Sequence, residues 1–147
     1  MIKPDVENNY TRVDKKHKIL EKLKQYCTFH SVSLALRGEI YGSGIQGFPS
    51  NPHAKLPLNF AAFSVWNIDE LKYESSADPH YYTNVANACI DPIPTVPLVE
   101  RAILTLELIE KYERGITEIN GKSFEGVVIK HSKGSFKVIN LTYDERK

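Results

Sequence analysis

A run of ten residues, from Val32 to Tyr41, alternates between two kinds of side chain and most constrains how the chain can fold. One face collects Val32, Leu34, Leu36, Gly38 and Ile40, and the other collects Ser33, Ala35, Arg37, Glu39 and Tyr41. A period of two predicts a β-strand that buries its first face. Charged residues disfavour strands and cost free energy when buried alone, so Arg37 and Glu39 are expected on a solvated face or in a polar pocket.

Helical and extended patterns alternate along the rest of the sequence. The predicted helices cover residues 13–30, 82–89 and 97–114. The further predicted strands cover 60–67 and a hairpin within 123–143 that turns at 132–134. Glycine and proline crowd residues 42–57, which predicts a loop between the first two strands. Because no internal repeat or linker separates these elements, we expect one α+β unit over residues 1–147, with a mostly antiparallel sheet and flanking helices.

The bulk composition is that of an ordinary globular protein. Charged residues make up 25% and hydrophobic residues 41% of the chain, which excludes the disordered and fibrous classes. The net charge of +1 gives no global attraction to nucleic acid or membranes, so a polyanion site would have to be a local patch. The two cysteines and five histidines lack metal-ligand spacing and no long apolar run occurs, which predicts a reduced cytoplasmic protein with no membrane partner.

Four short stretches resemble, in order, motifs III, IIIa, IV and V of the ATP-dependent RNA ligases. They are RGEIYGSGIQ at 37–46, FAAFSVWN at 60–67, FEGVVIK at 124–130 and SFKVIN at 135–140. Each is weak alone, but four motifs in the family's order form a specific signal that spans nearly the whole chain. The resemblance implies a partial nucleotidyltransferase domain, the ATP-grasp-like adenylation domain of covalent ligases, with ATP and Mg²⁺ or Mn²⁺ as cofactors.

The resemblance also implies roles for residues at the nucleoside end of the site. Glu39 matches the family's ribose-binding glutamate, and Phe63 matches the aromatic residue that stacks on adenine. Judged alone, Glu39 is equally well explained as a solvated glutamate paired with Arg37, and Phe63 as a core aromatic residue near Phe60 and Trp66. Arg37 matches no family role and is expected to orient Glu39.

Motifs IV and V imply the contacts at the phosphate end. Glu125 matches the metal-binding glutamate, since a hard divalent cation prefers oxygen ligands. Lys130 and Lys137 match lysines that contact the ATP phosphates and offset charge developing at the α-phosphorus, which makes both catalytic candidates. Without the resemblance, all three would be read as surface charges of a hairpin. Many relatives carry a second motif V lysine where this chain has Ile139, a departure that leaves full phosphate contact open.

The nucleophile of the family has no counterpart here. These ligases attack ATP with a lysine in a Lys-x-Asp/His-Gly motif, and this sequence contains no such motif. The stretch KPDV at 3–6 has the lysine and the aspartate but not the glycine, so Lys3 is not expected to be the nucleophile. A split gene, a truncated remnant or a partial reading frame would each explain the pattern, and in all three we expect no self-adenylation.

Three functions remain open on the sequence. The first is the back portion of an RNA ligase adenylation domain, which contributes the AMP or ATP, metal and phosphate contacts for sealing RNA 5′-phosphate and 3′-hydroxyl ends. In the case of a split gene, a separate polypeptide would supply the missing lysine. The second is a nucleotide- or RNA-binding remnant without covalent chemistry. The third is an interaction protein whose exposed strand edge pairs with a partner.

Overall fold

The computed structural model describes residues 7–45, 53–73, 81–88, 91–131 and 133–143. Its helices are α1 (Asn9–His17), α2 (Ile19–His30), α3 (Tyr81–Asn87) and α4 (Leu106–Glu110), which runs into a π-helical turn (Lys111–Gly115). Its strands are β1 (Leu34–Tyr41), β2 (Asn59–Asn67), β3 (Lys72–Tyr73), β4 (Glu118–Ile119), β5 (Lys122–Ser123), β6 (Gly126–His131) and β7 (Gly134–Ile139). The strands pair in antiparallel ladders between helical segments, which confirms the predicted α+β class.

The first predicted helix is in fact two helices. The Asn8 side chain accepts a hydrogen bond from the Thr11 N–H and begins α1 earlier than predicted. Lys18 then adopts a left-handed backbone conformation (φ 52°), which ends α1. The Asp14 carboxylate accepts a hydrogen bond from the Leu20 N–H at 2.8 Å and caps the first turn of α2 across this break. Helical periodicity does not report the conformation of one residue, so the break was not predicted.

Strands β1, β2 and β3 form one sheet in that order, and helices α2 and α3 pack on one of its faces. Leu36 also lies on this packed face, whereas Arg37 and Glu39 are exposed, as the alternation in the sequence predicts. Strand β3 was not predicted, because two residues are too few to show a period. The buried cluster comprises Leu34, Val65, Tyr82 and Val85.

The prediction of a helix over residues 97–114 is confirmed for its second half, residues 106–114, and is wrong for its first half. Residues 97–105 are not helical, and the helix begins just after Thr105, whose hydroxyl accepts a hydrogen bond from the Leu108 N–H at 3.1 Å. Thr105 has extended backbone angles and satisfies a free donor of the first turn, so it starts the helix rather than continuing one. The π-helical turn then ends at Gly115, where the sequence predicts a stop.

The C-terminal hairpin is confirmed. Strands β6 and β7 pair from Gly126 opposite Ile139 to His131 opposite Gly134. The described strands form three antiparallel sheets, because β6–β7 and β4–β5 each form a sheet of two strands beside the sheet of β1, β2 and β3. The hairpin therefore meets the large sheet through side chains rather than through a shared ladder.

Some predictions fall on parts of the chain outside the described residues. They concern Lys3, Gln46 of the glycine turn, Cys89 at the end of the predicted short helix, and Ser132 in the hairpin turn. None of the helices in the described part of the chain has the length and apolar character needed to cross a bilayer.

Candidate functional site

Strand β2 contains a β-bulge at Phe63. Arg37 pairs with Ser64 and Gly38 pairs with Ala62, so Phe63 is the extra residue of the ladder. A bulge bends the strand, increases its local twist and redirects a side chain. The residue predicted to stack on adenine therefore lies at an irregularity of the strand, and its side chain is only partly buried.

Lys130 reaches from β6 to this bulge. Its ammonium donates a hydrogen bond to the Phe63 carbonyl oxygen at 2.5 Å and lies 5.9 Å from the centroid of the Phe63 ring. The centroid of the Tyr82 ring, on α3, lies 5.2 Å from the same nitrogen. Burial lowers the pKa of Lys130, because protein replaces part of its water shell. The structure thus brings the predicted base-stacking residue together with one predicted phosphate-binding lysine.

Glu125 and Lys137 form an ion pair where the strands of the hairpin begin and end. The distance from Glu125 Oε1 to Lys137 Nζ is 3.2 Å, and the two side chains are 57% and 51% exposed. Exposed pairs of this kind contribute roughly 0.2–1 kcal/mol, so either partner can exchange for another ligand. Gly126 lets the strands approach closely here, since a Cβ at this position would lie 2.5 Å from the Val138 carbonyl oxygen.

Asn140 fixes the backbone beside Glu125. Its backbone N–H donates to the Glu125 carbonyl oxygen at 2.9 Å, and its side-chain Nδ2 donates to the Phe124 carbonyl oxygen at 3.0 Å. Its Oδ1 accepts hydrogen bonds from the N–H and the hydroxyl of Thr142, at 3.0 and 2.6 Å. The sequence reading gave Asn140 no role beyond closing motif V. Asparagine side chains commonly bond the backbone two residues further along the chain, so the residue type alone could have suggested this turn.

The structure does not bring Arg37 to Glu39. Arg37 donates a hydrogen bond to the hydroxyl of Tyr73 on β3, and its guanidinium lies 5.8 Å from the centroid of that ring. Glu39 lies exposed opposite Ala61 of β2, and the ion pairs among the described residues do not include it. Arg37 therefore stabilises β3 instead of orienting Glu39, a contact that could not be foreseen while β3 was unknown.

Glu125 is the one carboxylate that the resemblance assigns to a metal ion. Among the described residues there is no group of three or more His, Cys, Asp or Glu side chains that could hold an ion. Magnesium usually keeps several waters and takes one or two carboxylates together with substrate phosphates. The exposed Glu125 carboxylate therefore fits a divalent cation that binds together with a nucleotide better than one caged by protein alone.

Comparisons with known proteins point to one family. The sequence model of the RNA ligase family matches residues 3–140. A mutant of Naegleria gruberi RNA ligase with ATP and Mn is similar in structure, with 25% identity and a TM-score of 0.73, and the match covers 97% of this chain and 41% of that one. The same ligase with PPi gives 25% identity, a TM-score of 0.69, and coverage of 92% and 40%.

An apo mutant of the same ligase gives 24% identity and a TM-score of 0.73, again over 97% of this chain and 41% of that one. This chain thus spans well under half the length of the structures that it matches. No curated protein matches the sequence significantly. Because the family match covers nearly all of the sequence, the chain belongs to the RNA ligase family.

Proposed function

We propose that this chain forms the nucleotide-binding portion of an ATP-dependent RNA ligase adenylation domain, which seals RNA 5′-phosphate and 3′-hydroxyl ends. Phe63 stacks on the adenine and Glu39 accepts a hydrogen bond from the ribose. Lys130 and Lys137 contact the phosphates, and Glu125 holds Mg²⁺ or Mn²⁺. The mutant Naegleria gruberi RNA ligase with ATP and Mn, at 25% identity, supports this choice of ligands.

The observation that carries the proposal is the hydrogen bond from Lys130 to the Phe63 carbonyl. It joins motifs IIIa and IV across 67 positions of the chain at a distance of 2.5 Å. The pair of Glu125 and Lys137, at 3.2 Å, joins motifs IV and V in the same way. Four of the residues that the resemblance assigns to one nucleotide site are therefore in contact in two pairs. Unrelated charges scattered over the surface would not be expected to meet in this way.

The two lysines differ in how they can meet phosphate. Lys130 has three donors and gives one to a carbonyl, so two remain for anionic oxygens. Lys137 is paired with Glu125, and it would turn toward phosphate when that carboxylate binds a cation. Cation and nucleotide are therefore expected to bind together, each more tightly in the presence of the other.

Calorimetric titration of the 147-residue chain with ATP and Mg²⁺ or Mn²⁺ tests the proposal. Phe63→Leu removes the stacking ring and is expected to weaken ATP binding by roughly 5- to 150-fold, since stacking contributes about 1–3 kcal/mol per base. Phe136→Leu is the matched control, because Phe136 lies on β7 and is 37% exposed. The proposal is wrong if the wild-type chain binds no ATP or if the control weakens binding equally.

A second pair of variants tests the phosphate end. Lys137→Met is expected to weaken ATP more than adenosine, because only ATP carries the phosphates that this lysine would contact. Lys122→Met, at an exposed lysine of β5, removes the same charge elsewhere and should change neither affinity. Equal losses for ATP and adenosine in Lys137→Met would contradict the assignment.

Nucleotide binding without covalent chemistry, which needs no Lys-x-Asp/His-Gly motif, is the second candidate. We expect this chain alone to bind ATP without forming an acid-stable AMP adduct when it is incubated with labelled ATP and Mg²⁺. An adduct that appears only with an added polypeptide containing that motif would favour the ligase. Binding that never leads to an adduct, even with that polypeptide, would favour the second candidate. A cytoplasmic location stays a prediction.

A further inference from the structure

Tyr82 is a buried residue beneath the proposed phosphate end of the site. It lies on α3, a helix that contains none of the four motifs, and it is 4% exposed. Its ring belongs to the same buried cluster as Leu34 and Val65. The centroid of that ring is 5.2 Å from the Lys130 nitrogen. Tyr82, a core residue outside the four motifs, therefore contacts Lys130 of motif IV.

The side-chain nitrogen of Lys130 lies in an unusual setting. The ion pairs among the described residues do not include Lys130, so no acidic side chain there neutralises it. Instead its ammonium meets the Phe63 carbonyl oxygen at 2.5 Å and two aromatic rings at 5.2 and 5.9 Å. The face of an aromatic ring attracts a cation, and the attraction is larger where water is partly removed.

We propose that Tyr82 is a positioning residue for Lys130, holding its ammonium against the Phe63 carbonyl at the point where the phosphates of a bound nucleotide would meet it. This inference rests on the proposed function. Two donors of Lys130 remain for an anion, and the third is bonded to the residue that would stack on the base. The residue that contacts the base and the residue that contacts the phosphates would therefore be joined at the Phe63 carbonyl oxygen, and helix α3 would support both residues through Tyr82.

The first test measures the pKa of Lys130 by NMR of the lysine side chains, with the signal assigned by Lys130→Arg. Tyr82→Leu keeps the site apolar but removes the ring, so it is expected to lower the pKa by roughly half to one pH unit. A role in packing alone predicts the opposite, because a loosened core admits water and raises the pKa toward its ordinary value. Tyr82→Phe keeps the ring and should leave the pKa unchanged.

A matched control is available in Tyr112, which is as buried as Tyr82 but contacts Glu100 instead of Lys130. Tyr112→Leu should leave the pKa of Lys130 as in the wild-type chain. If Tyr82→Leu does not fold, Tyr82→Met removes the same ring with a flexible side chain that can fill the space, and it is expected to lower the pKa of Lys130 in the same direction. An unchanged or raised pKa in the folded ring-deletion variant overturns the inference.

The second test compares ATP with adenosine. Tyr82→Leu is expected to weaken ATP by roughly five- to tenfold while changing adenosine less than about twofold, because its effect passes through the lysine that meets phosphate. Tyr112→Leu should leave the ratio of the two affinities unchanged. Equal losses for both ligands in Tyr82→Leu would overturn the inference.

The two tests also separate this inference from the proposed function. If the wild-type chain binds neither ATP nor adenosine, the proposed function is wrong, and the titration of Lys130 alone decides whether Tyr82 positions it. If the wild-type chain binds both and Tyr82→Leu changes neither the pKa nor the affinity ratio, the proposed function stands and the role of Tyr82 is wrong.

Discussion

Replacing Asn140 by alanine should show how strongly the hairpin depends on one buried side chain. The residue is 2% exposed, and its side chain makes one hydrogen bond to Phe124 and two to Thr142. Each buried hydrogen bond contributes about 1 kcal/mol, so Asn140→Ala should lower the free energy of unfolding by about 3 kcal/mol. That is a large part of the roughly 5–15 kcal/mol that stabilises a typical protein.

Urea denaturation followed by tryptophan fluorescence would measure this loss, since Trp66 is the single tryptophan and packs against Tyr73. Thr142→Val is the graded control, because it removes only the hydroxyl that bonds Asn140 and should cost about 1 kcal/mol. Hydrogen exchange of the amide of Asn140, bonded to the Glu125 carbonyl, would locate the effect. An alanine variant no less stable than Thr142→Val would refute the reasoning.

Three further predictions concern other parts of the chain. Gly38→Ala should lower the free energy of unfolding by about 1–3 kcal/mol, measured by urea denaturation, because its Cβ would lie 2.2 Å from the Phe60 ring and 2.6 Å from a backbone oxygen. Hydrogen bonds from Tyr112 and Lys111 lower the pKa of Glu100. The contribution of Glu100 to the stability of the fold is therefore complete above the ordinary glutamate pKa of about 4.3, and it is lost as the pH falls through the lowered pKa of the folded state. Glu100→Gln should therefore flatten the acid side of a melting-temperature profile. Burial lowers the pKa of Lys130, so the wild-type chain should gain stability relative to Lys130→Met as the pH rises from that lowered value toward about 10.4, in the same profile.

Each of these predictions has a comparison that could contradict it. Gly115→Ala places its Cβ no closer than 3.5 Å to any neighbour and should cost far less than the change at Gly38. Equal melting profiles for wild type and Glu100→Gln below pH 5 would remove any role for that carboxylate. A stability difference between wild type and Lys130→Met that does not vary with pH would show that the ammonium is not desolvated on folding.

The elements that the sequence predicted correctly are those encoded by a local period. Leu34 and Leu36 face the core because a strand alternates, and the β6–β7 hairpin follows from two extended runs around a short turn. The features that were missed depend on the backbone of a single residue. Lys18 breaks one helix and Thr105 starts another, and neither choice changes the apolar pattern around it.

The site shows the same division. The resemblance supplied the identities of Glu125, Lys130 and Lys137, but it could not supply their contacts. Lys130 meets Phe63 across 67 positions, a distance over which no local pattern operates. Tyr82 was missed because it lies in no motif, and a buried tyrosine on a short helix looks like an ordinary core residue.

The bulge at Phe63 also determines which changes of length strand β2 can accept. The ladder with β1 is regular on both sides of the bulge. Because of the extra residue, the even-numbered residues of 59–62 lie on the same face of the sheet as the odd-numbered residues of 64–67. Deleting Phe63 would leave a continuous ladder in which Phe60 still lies opposite Ile40 and keeps its side of the sheet. The bulge can therefore absorb the loss of one residue at this point without exchanging the two faces, whereas an inserted residue elsewhere in the strand would exchange them.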